Sequence, residues 1–358
     1  MEDQEIKPQP LRGRGSDSNP ANRFVGVAEV READGWEWQP DSAPETEVNE
    51  DHTRSILTRN DSPDLGFEFS VNPYRGCEHG CIYCYARPTH EYLGLSAGLD
   101  FETKLFAKYR AAELLRVELA KKSWSPQTVV MSGVTDCYQP IERKLRITRA
   151  CLEVLRDFSN PVAVITKNAL VARDKDILLE LARKQACCVT LSITTLDADL
   201  ARVLEPRAAS PRRRIATLKE LSSAGIPVSV NVAPVIPGIT DSEIPAILKA
   251  AWDAGARSAG YTILRLPFAV APLFEAWLGH HFPERKAKVL SRIRQMRGGK
   301  LNEPKFGSRM RGEGIFAEQI RNLFYVTVRR LGFEQRGFDL STAHFHVPDD
   351  GPQLSWQI

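Results

Sequence analysis

The sequence predicts an α/β protein built on a parallel sheet or barrel. The main observation is that six short apolar runs, rich in β-branched residues, alternate with longer amphipathic runs; parallel strands joined by helices have this pattern. The length of 358 residues allows such a unit with added segments. A hydrophobic fraction of 42% and a charged fraction of 26% are ordinary for a globular protein, and they exclude collagen, coiled coil and wholesale disorder.

Each predicted strand is a nearly continuous apolar run, as expected for a strand that is buried on both faces. In chain order the six predicted strands are Glu68–Pro73, Thr128–Val134, Val162–Lys167, Cys188–Thr194, Val228–Ala233 and Ala259–Leu264. Because the chemistry of such folds lies at the carboxyl ends of the strands, polar residues at those ends are candidate site residues.

The predicted helices lie between the strands and have apolar residues at helical spacing. They are Thr103–Lys121, Lys144–Phe158, Asp174–Gln185, Asp197–Leu204, Ser210–Ala224 and Asp241–Ala254. Ser210 is expected to cap its helix, with Pro211 in the first turn. Thr240 and Glu243 have the spacing of a capping box.

Composition divides the chain into four segments. Residues 1–62 are polar and rich in Pro, Asn and Ser, with an acidic stretch at Glu29–Asp51, and are expected to be an extended, partly disordered wrap. Residues 63–266 form the predicted core, residues 267–335 a basic helical region, and residues 336–358 a tail. The stretch GRGSDSNPANRF, residues 13–24, is distinctive, but its composition does not explain its role.

No targeting or membrane segment is evident in the sequence. The N-terminus lacks an apolar core, and the most apolar stretch, Ile226–Ile239, is broken by Pro227, Pro234 and Pro237. We therefore expect a cytoplasmic protein without membrane contact, where thiols stay reduced. An odd count of seven cysteines also excludes a complete set of disulfides.

The strongest motif is a cluster of three cysteines directly after the first predicted strand. Cys77, Cys81 and Cys84 have the spacing C-x3-C-x2-C, with glycine at positions 76 and 80. Three thiolates can hold three irons of a [4Fe–4S] cluster and leave the fourth iron open to a small molecule. The alternative is a zinc site completed by His79 or His90, although structural zinc usually takes four protein ligands in two separated pairs.

The cysteine motif resembles the signature of radical S-adenosylmethionine (SAM) enzymes. The longer run NPYRGCEHGCIYCYARPTHEYLGL is similar to the spore photoproduct lyase-like branch. Four further stretches together resemble an uncharacterised bacterial subgroup of that branch: GRGSDSNPANRF, TDCYQP, LEPRAASPRRR and RQMRGGKLNEPKFGSRMRGEG. The resemblance implies a partial (β/α)6 TIM-like barrel, a [4Fe–4S] cluster and bound SAM. It also implies reductive cleavage of SAM to a 5′-deoxyadenosyl radical, which removes hydrogen from a substrate.

The resemblance also suggests where SAM binds. Lys167 and Ser192, at two predicted strand ends, resemble contacts to the SAM carboxylate. Thr194 and Asn231 are further candidates, and each of these four residues could instead be an ordinary polar group of a loop. Where many members have a glycine-rich stretch, this chain has Thr135 and Asp136. Asp136 could accept from the SAM ammonium group or form an Asx turn.

Two tyrosines and one cysteine are candidates for steps after radical formation. Tyr83 and Tyr85 flank Cys84, and similarly placed tyrosines in the lyase are implicated in passing a hydrogen atom or an electron. Packing against the cluster is the alternative role. Where the lyase has a hydrogen-donating cysteine this chain has Gly133, and Cys137 is close by but out of register.

A basic block suggests a phosphate-bearing substrate. Residues Arg285–Arg311 contain ten Lys or Arg and one acidic residue, a local charge of +9 in a chain of net +3. Such a block can neutralise phosphates, and Arg212–Arg214 could extend it. The alternatives are a solvated helix face or pairing with the acidic N-terminal segment.

Two classes of function follow from these features. One is a radical SAM enzyme acting on a nucleic-acid base. Its substrate could instead be a protein or small metabolite, but such a substrate leaves the basic block unexplained. The other is a non-catalytic iron–sulfur protein that transfers electrons or binds nucleic acid. We expect a monomer that receives electrons from a flavodoxin-like or ferredoxin-like one-electron reductant.

Overall fold

The computed structural model describes residues 11–25, 45–334 and 337–348. Most of the predicted acidic stretch Glu29–Asp51 and part of the predicted tail 336–358 lie outside these residues. Among the described residues, no helix is long and apolar enough to cross a membrane.

The described residues form ten strands, eleven α-helices and three short 3-10 helices (Arg87–Leu93, Ala169–Asp174 and Asp241–Glu243). The strands are β1 (Glu47–Glu50), β2 (Leu57–Arg59), β3 (Phe69–Val71), β4 (Tyr74–Arg75), β5 (Lys104–Ala107), β6 (Val129–Met131), β7 (Val162–Thr166), β8 (Cys187–Ile193), β9 (Val228–Val235) and β10 (Ser258–Ile263). The helices are α1 (Asp100–Thr103), α2 (Ala111–Leu119), α3 (Glu142–Leu145), α4 (Ile147–Asp157), α5 (Lys175–Arg183), α6 (Ala198–Leu204), α7 (Pro211–Ser223), α8 (Ile244–Asp253), α9 (Val270–His281), α10 (Pro283–Met296) and α11 (Gly314–Leu331).

The main sheet confirms the predicted α/β class. Its order is β10-β9-β8-β7-β6-β3-β2, and the pairs from β3 to β10 are parallel. All six predicted strands are present in this parallel series. The added strand β2 pairs antiparallel with β3, so the N-terminal segment extends the sheet at one edge. The result is a partial (β/α)6 barrel.

The two faces of the sheet differ in character. On the outer face, alternate residues such as Val164, Leu191 and Val230 are fully buried against the helices. On the inner face, alternate positions of β7, β8, β9 and β10 are partly exposed. Small and polar residues prevail there, including Ala163, Thr190, Asn231, Gly260 and Thr262. The inner face therefore lines a polar lumen that solvent can enter, rather than a packed core.

The predicted helix Thr103–Lys121 is wrong in its first part. Lys104–Ala107 forms β5 instead, which pairs parallel with β1 and antiparallel with β4. Leu105 and Ala107 alternate with less buried neighbours, which is strand periodicity. The partner β1 lies more than fifty positions earlier in the chain, so no local pattern could indicate this pairing.

Two further helix starts were predicted from local signals. Ser210 accepts a hydrogen bond from Arg213 N, which confirms its predicted cap. The predicted capping box is wrong, because Thr240 Oγ1 accepts from Ile236 N instead. The Glu243 carboxylate accepts from Thr195 Oγ1 at 2.6 Å and Leu196 N at 2.7 Å. A local contact therefore takes the Thr240 side chain away from the helix end, and tertiary contacts take the Glu243 side chain away from it.

The predicted helix Lys144–Phe158 is also divided. Arg146 adopts a left-handed backbone conformation, with φ of 57°, and separates α3 from α4. Glu142 lies fully buried at the start of α3. Its carboxylate accepts from Thr148 N in the first turn of α4, so the buried charge fixes the angle between the two short helices.

Candidate functional site

The cysteine loop, residues 76–86, lies at the carboxyl end of the barrel strands. Gly76 and Gly80 adopt left-handed conformations, with φ of 75° and 67°, which favours glycine at both turns. Cys77 N donates to Phe101 O at 2.9 Å, and Ile82 N donates to Leu204 O at 3.1 Å. Bonds to α1 and α6 therefore hold the loop from two sides.

The three cysteines of this loop are free thiols, and Cys77 and Cys81 are buried. Burial raises the pKa of Cys77 well above its ordinary value, and the nearby thiols of Cys84 and Cys81 raise it further. The backbone N–H of His79 faces the Cys77 sulfur, and that of Ala86 faces the Cys84 sulfur. Backbone donors of this kind stabilise thiolates that bind a metal cluster.

The histidines do not complete a zinc site with these thiols. His79 Nδ1 lies 3.4 Å from Asp136 Oδ2, and His79 Nε2 lies 3.1 Å from Asn168 Nδ2. His90 Nε2 lies 2.8 Å from Lys104 O. Across residues 11–25, 45–334 and 337–348, no group of three His, Cys, Asp or Glu could hold one metal ion. A cluster needs no such group because each thiolate binds a different iron, so the loop fits a cluster better than zinc.

A buried ionic network lies beside the cysteine loop. Glu205 is only 3% exposed, and its carboxylate accepts from Arg214 Nη2 and from the Tyr83 hydroxyl. Lys167 Nζ lies 3.1 Å from Glu205 Oε1. Burial alone raises the pKa of Glu205, but Arg214 and Lys167 more than offset this effect, so the pKa is held well below its ordinary value. Glu205 is therefore ionised at neutral pH, and its carboxylate positions two cations and a phenol.

The network brings three sequence candidates together. Lys167 Nζ donates to Ala233 O at 2.8 Å and lies 3.2 Å from Thr194 Oγ1. The Tyr83 hydroxyl lies 3.1 Å from Thr194 Oγ1, and Lys167 Nζ is 5.7 Å from the Tyr83 ring centroid. The Lys167 side chain keeps an exposed fraction of 16%. Lys167 thus presents a fixed positive charge at the end of the lumen where the cysteines lie.

The side chains of Asp136 and Thr135 form hydrogen bonds with groups at and beside the strand ends, rather than facing the lumen. Asp136 Oδ1 accepts from Tyr138 N at 2.8 Å and Thr166 Oγ1 at 2.7 Å, and its Oδ2 accepts from Lys167 N at 2.8 Å. The bond to Tyr138 N closes an Asx turn, which is one of the two roles that the sequence left open for Asp136. Thr135 Oγ1 donates to Tyr74 O at 2.8 Å. Protein donors thus already occupy both Asp136 oxygens.

The remaining candidates lie at separate places around the lumen. Ser192 and Asn231 are direct neighbours on β8 and β9. Tyr85 is half exposed and donates to Gly133 O at 2.8 Å, so it reaches the position where the lyase-like pattern has a cysteine. Cys137 is fully buried in the outer hydrophobic core. The Cys137 thiol therefore lies in the core rather than in the lumen.

The basic block divides into buried and exposed parts. Arg297 is 1% exposed and donates to backbone carbonyls at the end of β10 and in residues 308–309. Arg309 pairs with Asp64 at 2.5 Å. The expectation that Arg214 extends this surface is wrong, because Arg214 is buried against Glu205. The exposed cations of the block are Arg285, Lys288, Arg294, Lys300, Lys305 and Arg311.

We call residues 297–311 the mouth loop, because they pack at the carboxyl end of β10. Ile263 N donates to Met310 O at 3.0 Å, and Gly307 N donates to Asp64 Oδ1 at 2.7 Å. Asp64 lies between β2 and β3, so the mouth loop bridges the two edges of the open barrel. Arg265, next to this loop, lies 5.5 Å from the Tyr85 ring centroid.

The comparisons with known proteins agree with this geometry. Residues 71–251 match the family model of the radical SAM superfamily. The chain belongs to the radical SAM superfamily. The matched residues contain the cysteine loop and strands β6 to β9.

Relatives of this radical SAM protein occur in bacteria and archaea. It is 34% identical over 250 residues to the uncharacterised protein Rv2578c of Mycobacterium tuberculosis, covering 69% of this chain and 72% of that protein. It is 29% identical over 178 residues to the uncharacterised protein MJ0683 of Methanocaldococcus jannaschii, covering 50% of this chain and 64% of that protein.

Solved structures show the same fold at low sequence identity. A mutant of spore photoproduct lyase matches with a TM-score of 0.55 and 14% identity, covering 80% of each chain. Another mutant of that lyase, with bound AdoMet and dinucleoside spore photoproduct, matches with a TM-score of 0.55, 15% identity and the same coverage. The radical SAM fold predicted from the cysteine motif is therefore confirmed.

Residues 11–25, which we call the N-terminal strap, belong to the segment that was expected to be an extended wrap, and they lie against the cysteine loop. Sequence reasoning missed the contacts that hold this strap in place. Gly15 N and Ser16 N donate to the Glu102 carboxylate at 3.0 Å and 2.9 Å. Arg87 Nη2 donates to the same carboxylate at 2.5 Å, and Arg87 and Glu102 are both fully buried. The distinctive stretch at residues 13–24 thus serves to dock the strap on the fold.

Gly15 makes the closest approach between the strap and the cysteine loop. A Cβ atom at Gly15 would lie 1.7 Å from Gly80 O, so any side chain there must displace backbone. We expect Gly15→Ala to detach the strap and to lower the free energy of unfolding by about 1–3 kcal/mol. Limited trypsin digestion, followed by mass spectrometry, is expected to show faster cleavage within residues 11–25.

The matched control is Gly66→Ala, because no atom lies within 4 Å of a Cβ at Gly66. We expect this control to be cleaved at the wild-type rate. Equal cleavage rates for Gly15→Ala and the wild type would contradict the docking role of Gly15.

Proposed function

We propose that this protein is a catalytic radical SAM enzyme whose substrate is a nucleic-acid base. Cys77, Cys81 and Cys84 would hold a [4Fe–4S] cluster, and SAM would bind in the lumen below it. The observation that carries the proposal is the position of Lys167, a partly exposed cation fixed beside the buried cysteine loop. When bound, the cluster and SAM supply one electron and a 5′-deoxyadenosyl radical.

The residues of this chain would bind and orient SAM. Lys167 is the cation for its carboxylate, and Ser192 and Asn231 are polar groups for its other oxygens. Glu205 and Thr194 fix the position of the Lys167 ammonium before SAM arrives. A preorganised charge binds an anion more tightly, because little conformational entropy remains to be lost.

The first prediction from this proposal concerns Lys167. We expect Lys167→Ala to retain its cluster but to bind SAM about ten- to a hundredfold more weakly, since a charge-assisted hydrogen bond is lost. Isothermal titration of reconstituted protein with SAM gives the affinity, and iron content verifies the cluster. Lys175→Ala is the control, because Lys175 pairs with Glu220 on the surface. A wild-type affinity in Lys167→Ala would remove Lys167 from the SAM site.

The mouth loop supports a nucleic-acid substrate. Lys300, Lys305 and Arg311 are exposed there, and Phe306 is 52% exposed. Cations neutralise backbone phosphates, and exposed aromatic rings stack on bases in single-stranded nucleic acid. The loop lies at the end of β10 near Arg265 and Tyr85, so a bound strand would have a base close to the lumen.

Oligonucleotide binding tests this role of the mouth loop. We expect wild-type protein to bind single-stranded DNA or RNA with an affinity that falls as salt rises. Charge reversal of Lys300, Lys305 and Arg311 is expected to weaken binding at least tenfold. The control reverses Lys121, Lys122 and Arg183, which are exposed elsewhere. Equal affinities for the two triple variants would argue against the mouth loop as the binding surface.

Deuterium transfer tests the reaction itself. We expect uniformly deuterated nucleic acid, incubated with reduced holoenzyme and SAM, to yield 5′-deoxyadenosine that contains deuterium. Unlabelled 5′-deoxyadenosine formed only with cell extract would favour a protein or small-metabolite substrate instead. Nucleic-acid binding without any 5′-deoxyadenosine would favour the non-catalytic function.

A further inference from the structure

An arginine-lined groove lies on the outer side of the cysteine loop. It is an open cavity of about 780 Å³ between the segments that follow β6, β7 and β8. Its cationic lining consists of Arg143, Arg173, Arg207 and Arg213. We call this cavity the arginine groove.

The charge of the arginine groove is only partly compensated. Arg207 pairs with Glu78 at 3.0 Å, and Arg173 pairs with Glu142 and Asp174, each at 2.7 Å. Arg143 and Arg213 are exposed, and neither forms an ion pair with another described residue. The one acidic lining residue, Glu220, is neutralised by Lys175 at 3.0 Å. The groove therefore presents two free positive charges to a partner.

The groove contacts the cysteine loop directly. Asn168, part of the lining, places Nδ2 within 3.1 Å of His79 Nε2. Arg207 N donates to His79 O at 3.2 Å. His79 lies between Cys77 and Cys81 in the chain and is 1% exposed. A molecule in the groove would be separated from the proposed cluster by little more than one buried side chain.

The groove lies apart from the proposed substrate path. Its lining comes from the segments after β6, β7 and β8, whereas the mouth loop packs on β10. A phosphate-bearing substrate has to reach the lumen, but an electron carrier only has to approach the cluster. A partner in the groove could therefore stay bound while the substrate occupies the mouth.

We propose that the arginine groove is the docking surface for an acidic one-electron carrier protein. This inference rests on the proposed function, because the cluster must receive one electron for each cleavage of SAM. The carrier loses one electron and the cluster gains it, and no atom is transferred. Complementary charge speeds such encounters and makes their rate fall as salt rises.

The test compares two reductants on the same reconstituted protein. The probe is fully reduced flavodoxin, an acidic carrier, and cluster reduction is followed by visible bleaching and electron paramagnetic resonance. We expect Arg143→Glu with Arg213→Glu to slow reduction by flavodoxin about tenfold or more at low salt. Reduction by dithionite, which needs no docking surface, is expected to keep its wild-type rate.

The control is Arg183→Glu with Arg330→Glu, which makes the same change in net charge at exposed positions outside the groove. If flavodoxin reduced the cluster at the same rate in both double variants, the proposal would be overturned. Weakened oligonucleotide binding with unchanged reduction by flavodoxin would also overturn it, and would assign the groove to nucleic acid. Because cluster reduction is measured without substrate, failure here is distinct from failure of the proposed reaction.

Discussion

Replacement of Cys81 by alanine is expected to abolish the iron–sulfur cluster. The three thiols of the cysteine loop each bind a different iron, so loss of one leaves two irons without a protein ligand. Reconstituted Cys81→Ala is expected to lack the broad visible absorbance of the cluster and most of its iron and sulfide. The cysteine loop of this variant should remain folded, because backbone bonds to Phe101 and Leu204 hold it.

The matched control is Cys187→Ala. Cys187 is a buried thiol whose Sγ contacts Leu178 O at 3.1 Å, on the outer side of the sheet. We expect this variant to bind a full cluster with only a small loss of stability. A full cluster in Cys81→Ala, with iron content equal to the control, would show that the ligands are not those of the cysteine loop.

Replacement of Glu205 by alanine is expected to cause a large loss of stability. The change leaves Arg214 buried without its carboxylate partner and removes one partner of Lys167. Breaking a buried ion pair from one side typically costs about 3–5 kcal/mol. Urea unfolding of the purified protein measures this loss.

Glu220→Ala is the control for this experiment, because the Lys175–Glu220 pair is surface-exposed and is expected to contribute about 0–1 kcal/mol. A change for Glu205→Ala as small as that for Glu220→Ala would contradict the assignment of Glu205 as a buried, compensated anion.

The stabilisation by Glu205 is expected to depend on pH in one direction. Its pKa is lower in the folded protein than in the unfolded chain, so folding favours the ionised form. The contribution is complete above the ordinary glutamate pKa and is lost as pH falls through the depressed value. The difference in unfolding free energy between wild type and Glu205→Gln is therefore expected to stay constant near neutral pH and to shrink only in acid.

Local patterns in the sequence were sufficient to predict the parallel strands, and the resemblance carried by the cysteine motif implied the partial barrel. Continuous apolar runs identified all six parallel strands, because strands buried on both faces leave little room for polar residues. The cysteine spacing identified the loop and the superfamily, since that motif is compact and specific. Ser210 was recognised as a cap because its partner, Arg213 N, lies three residues away.

Features that depend on distant residues could not be predicted. Strand β5 forms by pairing with β1, and Glu243 leaves its expected cap for Thr195 and Leu196. Glu205 and Arg214 look like ordinary surface residues in the sequence, because only the packed structure encloses them. Gly15 likewise shows its role only where the strap meets Gly80.

The structure also changes how the basic block is understood. In the sequence the block is a simple count of charges, but Arg297 is buried and Arg309 is paired with Asp64. Residues that a charge count treats as equal thus divide into those that build the mouth loop and those that remain free to bind phosphate. Only the second group is suitable for charge-reversal experiments.

The most direct test of the account is reductive cleavage of SAM by the reconstituted protein. Wild-type protein, incubated anaerobically with SAM and dithionite, is expected to release 5′-deoxyadenosine and methionine, detected by liquid chromatography with mass spectrometry. Cys81→Ala, treated identically, is expected to release neither. If wild-type protein with a verified, reduced [4Fe–4S] cluster released no 5′-deoxyadenosine, the proposal that this chain is a radical SAM enzyme would be contradicted.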